Sequence, residues 1–335
     1  MPLNATESPQ NQQLTYIELF HQNGDQHTLA MWLIMGEKGA LASVGILFNA
    51  ILVGTTVKSK KLHNTCNVLF ALDSLFLALF QLNSLITLLI AVFGINFVPN
   101  STCFYFQAVP IFSVLMSFCI MFQIGLERLA NVLLPIWSMK NGSKNFHALF
   151  FCVSLASNLF LVWLCFSVYH DINTMVMCTP SDISGKGLFY TISFNRSVIM
   201  HILLIIINIA IVLLLKFKNE NQHFSKSIFR SLLFLVFLET IGWLPSIYFA
   251  EFIKIAKFSP ITTTYISAGF TTISSCITSS ANGPTLYYFS RLYREEINGF
   301  LQSVGIKKII GTQHQQHINT MPLNVVTRHN NWTHH

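Results

Sequence analysis

The sequence predicts an all-α membrane protein, a seven-transmembrane helix bundle followed by a short amphipathic eighth helix. Hydrophobic residues make up 52% of the 335 residues and charged residues only 10%, which is too few charges to solvate a soluble domain of this length. Seven apolar runs are each long enough to cross the hydrocarbon core as a helix, which takes roughly 20 residues. They cover residues 39–57, 68–93, 104–124, 146–169, 192–215, 228–249 and 261–289.

These spans divide the chain into three parts. Residues 1–37 are predicted to form an extracellular segment, 38–301 the seven-helix domain with its eighth helix, and 302–335 a disordered cytosolic tail. The runs are continuous and longer than the alternating segments of a β-barrel. The seventh is diluted by Ser and Thr, so we expect its interior face to be polar. Because the N-terminus shows no apolar signal-peptide core, the first helix is expected to act as the insertion signal.

The positions of Lys and Arg predict the orientation, because cytosolic segments retain positive charge. With the N-terminus outside, 15 of the 20 Lys and Arg residues fall on the cytosolic side. The predicted location is therefore the plasma membrane, multi-pass, with the N-terminus extracellular. The basic clusters lie between apolar runs rather than on one folded face, so their expected partner is anionic membrane lipid and not nucleic acid.

Sequons and cysteines fit this orientation. Asn4 and Asn100 begin Asn-x-Ser/Thr sequons on predicted outer segments, which makes both candidate glycosylation sites. Cys103 opens the third span and Cys178 lies in the second outer loop, on the oxidising side, where a disulfide would hold that loop over the bundle. The other five cysteines lie in or beside apolar runs, show no metal-ligand spacing, and are expected to be buried thiols.

A motif at the inner end of the third span selects among the classes of seven-helix protein. Arg128, in Glu127-Arg128-Leu129, follows Cys103 by 25 residues, and Pro135 follows Arg128 by seven. This spacing resembles the rhodopsin-like superfamily of G protein-coupled receptors. Further positions that resemble the superfamily pattern are Asn49, Asp73, Trp243, Pro245, Pro284 and Tyr287.

Several stretches are similar, more narrowly, to the Srsx class of nematode serpentine chemoreceptors. They include Thr65-Cys66-Asn67-Val68-Leu69, Pro110-Ile111-Phe112, Ile124-Gly125-Leu126-Glu127-Arg128-Leu129 and Pro135-Ile136-Trp137. The resemblance implies a receptor that detects an extracellular small molecule or peptide and activates a heterotrimeric G protein on the cytosolic face. A sensory or neuronal membrane, including sensory cilia, is the location it implies.

The resemblance also assigns roles to single residues. Asp73, together with Asn49, would form an intramembrane polar site that can hold an allosteric sodium ion; a hydrogen-bonded structural carboxyl is the alternative. Glu127 and Arg128 would form a resting-state lock that opens when the sixth helix moves. The alternative for Arg128 is an anchor that reaches the headgroups.

Of the remaining positions, some match the superfamily pattern and others differ from it. Trp243 lies ahead of the kink expected at Pro245, where its ring would report ligand occupancy as a shift between two packings. Pro110 stands where amine receptors place a ligand-binding Asp, which argues against a biogenic amine. Gly283 takes the place of an Asn, and Asn282 is displaced by one residue, which weakens the sodium-site inference.

Three residues carry separate hypotheses. Glu239 lies deep in the sixth span, where an unpaired carboxylate would be too costly, so it must be neutral or paired. His201 is a candidate partner, and such a pair could act as an activation switch. The alternative is a neutral Glu bonded to a neighbouring helix. Arg196, near the outer end of the fifth span, could bind an acidic ligand group or anchor to headgroups.

Two other function classes remain in view, together with a second receptor type. A channel or transporter would show inverted repeats or a path of ionisable residues, whereas this chain offers only Asp73, Glu239 and His201. An enzyme would need a nucleophile or metal cluster, and no such spacing occurs, so no enzymatic activity and no metal are expected. Within the superfamily, a neuropeptide receptor is the runner-up.

Overall fold

The computed structural model describes residues 21, 24, 28–95, 97–134, 142–169, 175–176, 178–179, 187–217, 234, 242–243, 269–270 and 273–305. The helices are α1 (Leu29–Lys58), α2 (Thr65–Val92), α3 (Asn100–Leu133), α4 (Gly142–Tyr169), α5 (Gly187–Phe217), α6 (Asn282–Phe289) and α7 (Arg291–Ser303). Two short strands, β1 (Val98–Pro99) and β2 (Met175–Val176), pair antiparallel.

Five of these helices, α1 to α5, are long and apolar enough to cross a membrane. They confirm the first five predicted helices. Of the sixth predicted span, only residues 234, 242 and 243 are described, and of the seventh only 269–270 and 273–289. Residues 273–280 and α6 are helical, on either side of a break at Ala281.

The first helix begins earlier than its apolar run. α1 starts at Leu29, ten residues before the predicted boundary, and the Thr28 hydroxyl caps it by accepting a hydrogen bond from the Met31 amide at 3.3 Å. Glu37 and Lys38 interrupt the apolar pattern, and the predicted span therefore began after them, at residue 39. The helix nevertheless includes both residues. Residues 29–37, predicted to be part of the extracellular segment, therefore belong to α1.

The third helix forms the centre of the described bundle. Two thirds of the apolar window of α3 is buried, against one third or less of the windows of the other four long helices. Large apolar side chains on the outer faces, such as Leu47, Phe160, Trp163 and Ile206, are about half exposed. A soluble monomer rarely exposes so much apolar surface, and in this bundle it matches the lipid-facing surface of a membrane protein.

The short helix α7 packs under the bundle where the sequence predicted the amphipathic eighth helix. Tyr293 and Ile297 are buried in a core cluster with residues of α1 to α3. On the exposed side, the Lys61 ammonium donates a hydrogen bond to the Glu296 carboxylate at 2.9 Å. This hydrogen bond is the main reason why the pKa of Glu296 is below its usual value. Contacts from α1 and the turn after it thus fix α7; its position on a membrane surface stays a prediction.

A glycine in α1 permits a close approach of three segments. A Cβ on Gly45 would collide with the side chains of Gln81 and Ser280, whereas a Cβ on Gly36 of the same helix would meet nothing within 4 Å. We expect Gly45→Ala to lower the thermal unfolding midpoint of the detergent-solubilised protein, because overpacking costs about 1–3 kcal/mol.

Gly36→Ala is the matched control for this substitution. Alanine in an exposed helix interior normally stabilises by about 0.5–1 kcal/mol relative to glycine, so its midpoint should stay level or rise. An unfolding midpoint for Gly45→Ala equal to or above that of Gly36→Ala would contradict the close packing.

Candidate functional site

A buried carboxylate lies at the centre of a polar cluster between three segments. Asp73 of α2 is fully buried and accepts hydrogen bonds from the Ser117 hydroxyl of α3 at 2.5 Å and from the Asn282 amide of α6 at 2.7 Å. Two donors from different helices therefore satisfy a group that would be costly in the membrane interior. The cluster ties α2, α3 and α6 together.

Asn282 contacts the cluster although it is displaced by one residue from the position at which the superfamily keeps an Asn. Its amide reaches Asp73 directly, while the sodium site itself stays a prediction. Gly283 faces α1, where an added Cβ would lie 3.0 Å from the Phe48 carbonyl oxygen. A side chain at position 283 would therefore be tightly packed against α1, and the amide of the cluster comes from the preceding position.

A second polar layer is centred on Ser279, which lies three residues before Asn282 along the chain. The Asn49 amide of α1 donates to the Ser279 carbonyl at 2.8 Å. The Gln81 amide of α2 donates to the hydroxyls of Ser279 at 2.8 Å and Ser280 at 2.9 Å. Ser279 is fully buried, so the polar interior face predicted for the seventh span is confirmed in its described part. Sequence reasoning missed Gln81, although an amide within an otherwise apolar run was a usable signal.

The two layers contain oxygen atoms that accept nothing. Asn49 Oδ1, Gln81 Oε1 and Asn282 Oδ1 are buried without a hydrogen-bond partner among the described residues. Buried acceptors are normally satisfied by a donor, by water or by a cation. Asn282 Oδ1, the Asp73 carboxylate and the Ser117 hydroxyl are oxygen atoms of the kind that hard cations prefer as ligands, so the chemistry of the Asp73 cluster is compatible with a sodium ion.

Glu127, in the Glu127-Arg128 pair near the C-terminal end of α3, has a partner that the sequence did not predict. Glu127 is buried, and its Oε2 lies 2.5 Å from Nε2 of His147 on α4. Gln123, one turn earlier on α3, contacts the same imidazole at 3.0 Å. Arg128 is half-buried, and its Nε has no hydrogen-bond partner among the described residues. The Glu127–Arg128 lock itself stays a prediction.

Aromatic contacts surround Trp243. Its ring lies 5.7 Å from the Phe80 ring and 5.1 Å, edge to face, from the Phe118 ring, and Phe118 in turn contacts the His201 ring at 5.0 Å. His201 is buried, and its Nδ1 is 2.7 Å from the Ser197 carbonyl. Trp243 therefore contacts α2 and α3, and Phe118 extends the aromatic contacts to α5. Glu239 and Pro245 lie outside the described residues, so the Glu239–His201 pair stays a prediction.

The predicted Cys103–Cys178 disulfide is present, with 5.1 Å between the Cα atoms. The Cys178 carbonyl accepts hydrogen bonds from Thr87 of α2 at 3.1 Å and Gln107 of α3 at 2.7 Å. β2, three residues before Cys178, pairs with β1 just before α3. Covalent, side-chain and strand contacts together hold this segment over the ends of α2 and α3.

The remaining predicted outer residues lie in different settings. Asn100 is 2% exposed in the first turn of α3, which leaves no space for a glycan in this conformation, and Asn4 lies outside the described residues. Arg196 donates to Ser157 at 3.2 Å and to Asn158, both on α4. The structure thus gives Arg196 an interhelical contact, and both of its predicted roles stay predictions.

Near α7, Pro284 and Tyr287 lie on α6, after the helix break at Ala281. Proline lacks an amide hydrogen and cannot complete the helical ladder, which accounts for a break one turn ahead of it. The Tyr287 hydroxyl donates to the Asn298 side chain of α7 at 3.3 Å. Tyr287 therefore links the seventh predicted span to the short helix that follows it.

Comparison with known families decides the class of protein. A family model described as "Serpentine type 7TM GPCR chemoreceptor Srsx" matches residues 42–301, more than three quarters of the chain. The chain belongs to the Srsx family of nematode serpentine chemoreceptors. No curated protein matches the chain. The matched range of this Srsx chain includes both polar layers, the Glu127–His147 contact, the disulfide and most of α7. A multi-pass membrane protein of the chemoreceptor class is therefore the established description.

Proposed function

We propose that this Srsx chain converts the binding of an extracellular ligand into activation of a heterotrimeric G protein at the plasma membrane, with its N-terminus outside. The observation that carries the proposal is the placement of the two ends of α3. Cys103 is disulfide-bonded at one end, and Arg128, with Glu127 before it, lies 25 residues further along. At 1.5 Å per residue, these ends are about 37 Å apart, enough to span a membrane.

Between these ends, the described contacts supply parts that could exist in two packings. Trp243 is wedged between Phe80 and Phe118, and the polar layers around Asp73 join helices that must move relative to one another. A ligand near the disulfide would favour one arrangement over the other only if it binds the two with different affinity. Some buried oxygen atoms of the polar layers have no hydrogen-bond partner among the described residues. This supports the existence of a second packing in which those oxygens accept hydrogen bonds.

We also propose that sodium acts at the Asp73 cluster. The ion would supply positive charge to a carboxylate whose two described donors, Ser117 and Asn282, are both neutral. A cation that binds this packing better than the other would stabilise the resting arrangement. Pro110 in place of an acidic residue on α3 supports a ligand that is not a biogenic amine.

The test is second-messenger output in cells that express the chain, challenged with mixtures of small molecules and of peptides. We expect a response in the wild type that Arg128→Ala abolishes at equal surface level. A response that is unaffected by the substitution would contradict the proposal. A ligand-gated ionic current without G protein would favour the channel class, and a response confined to peptide mixtures would favour the neuropeptide receptor.

A further inference from the structure

Gln123, His147 and Glu127 form a buried chain of hydrogen bonds between α3 and α4. Gln123 Nε2 lies 3.0 Å from His147 Nδ1 and 2.8 Å from the His147 carbonyl oxygen, and His147 Nε2 lies 2.5 Å from Glu127 Oε2. All three side chains are at most 5% exposed. Because these residues are buried, neither lipid nor bulk water can replace any of these hydrogen bonds.

The geometry selects one arrangement of protons. The Gln123 amide nitrogen must donate to the His147 carbonyl, since exchanging its nitrogen and oxygen would place two acceptors 2.8 Å apart. The same nitrogen faces Nδ1, which must then be the acceptor. The ring hydrogen consequently lies on Nε2 and is donated to the Glu127 carboxylate. Gln123 thus sets the tautomer with which His147 holds Glu127.

We propose that His147 is a positioning residue for G protein coupling: set by Gln123, it fixes the Glu127 carboxylate against α4 and thereby limits the basal activity of Arg128. We call the three residues Gln123, His147 and Glu127 the α3–α4 latch. The inference rests on the proposed function and deepens it, because it names His147 as the residue that positions the Glu127 carboxylate next to Arg128.

The contact explains how a neighbouring helix could control Arg128. His147 donates to Oε2 of Glu127, which holds one carboxylate oxygen against α4 in the residue next to Arg128 along the chain. Without this donor the buried carboxylate would lose a strong hydrogen bond and would reorient toward its other contacts, since hydrogen bonds to charged groups are stronger than neutral ones. Among the described residues, the Cys66 thiol of α2 interacts electrostatically with both Glu127 and Arg128, and the Tyr293 hydroxyl of α7 interacts with Arg128.

The alternative is a histidine that merely fills space between two helices. That role would make His147 substitutions destabilising, but it would not change signalling per folded receptor in a defined direction. It would also not distinguish a substitute that can donate a hydrogen bond from one that cannot. The experiment therefore needs signalling, stability and a conservative replacement together.

The experiment compares basal second-messenger output per surface receptor for the wild type, His147→Phe, His147→Gln and Ser154→Ala. We expect a rise of roughly fivefold or more for His147→Phe, the lower bound typical of coupled sites, and a return toward the wild-type value for His147→Gln, which keeps a donor. Ser154→Ala changes a buried polar residue two turns along α4 and should leave basal output unchanged. Basal output of His147→Phe equal to that of Ser154→Ala, or no rescue by Gln, would overturn the proposal.

A thermal double-mutant cycle separates failure of the latch from failure of the proposed function. In solubilised protein, His147→Phe and Glu127→Gln should each lower the unfolding midpoint, and the double variant should lower it by less than their sum. Additive shifts would show that the latch does not exist, whatever the chain signals through. Coupled shifts with unchanged basal output would overturn the positioning role, and an absence of Arg128-dependent signalling in every variant would overturn the proposed function instead.

Discussion

Replacing Cys178 with Ser should lower the stability of the protein by roughly 2–5 kcal/mol and remove most of it from the cell surface. The bond closes a loop of 75 residues, and cross-links of this span restrict the unfolded chain strongly. Loss of the bond removes the covalent link and leaves weaker contacts, such as the β1–β2 pairing and the hydrogen bonds from Thr87 and Gln107 to the Cys178 carbonyl. The measurement is surface level together with the thermal unfolding midpoint, with and without reductant.

Cys152→Ser is the matched control, because Cys152 is a free, exposed cysteine on α4. It should behave as the wild type under both conditions. Cys103→Ser and the double substitution should match Cys178→Ser, since all three remove the same bond. A wild-type midpoint that reductant does not shift would show that the disulfide contributes little.

Asp73→Leu should be the most damaging substitution inside the bundle. It removes the acceptor for Ser117 and Asn282 and leaves two buried donors unsatisfied, at about 1–3 kcal/mol for each. Asp73→Asn keeps one acceptor oxygen and should cost less. If sodium binds here, added NaCl, compared with equal KCl, should raise the unfolding midpoint of the wild type and not that of Asp73→Leu.

Two buried serines on α3 give the matched pair for this prediction. Ser117 bonds Asp73 on another helix, whereas Ser113 bonds the Val109 carbonyl of its own helix at 2.7 Å. Ser117→Ala should therefore lower the midpoint clearly and Ser113→Ala only slightly. Equal effects of the two substitutions would contradict the interhelical role of the Asp73 cluster.

The sequence was sufficient for features that depend on composition or on a short local pattern. Long apolar runs predicted α1 to α5 because only a helix satisfies the backbone in lipid. The Cys103–Cys178 pair followed from their positions on the oxidising side. The start of α1 was misplaced because Glu37 and Lys38 end an apolar window without ending a helix.

The contacts between helices could not be predicted from one chain. His147 reads as an ordinary polar residue near the start of the fourth span, and its contact with Glu127 depends on the rotation of α4 against α3. Counting positions in the sequence placed the expected Asn at position 283, which is a glycine. In the structure, the amide that reaches Asp73 belongs to Asn282, one residue before that position. Rotation and depth are set by packing, for example at Gly283 against Phe48, and no local pattern reports them.

The most direct test of the central claim is nucleotide exchange on purified heterotrimeric G proteins by the purified chain in lipid nanodiscs. We predict that the wild type accelerates GDP release from at least one G protein class, that an active ligand fraction increases this rate, and that Arg128→Ala abolishes both effects. Absence of exchange on every class, with a folded receptor that still binds the active fraction, would contradict the account.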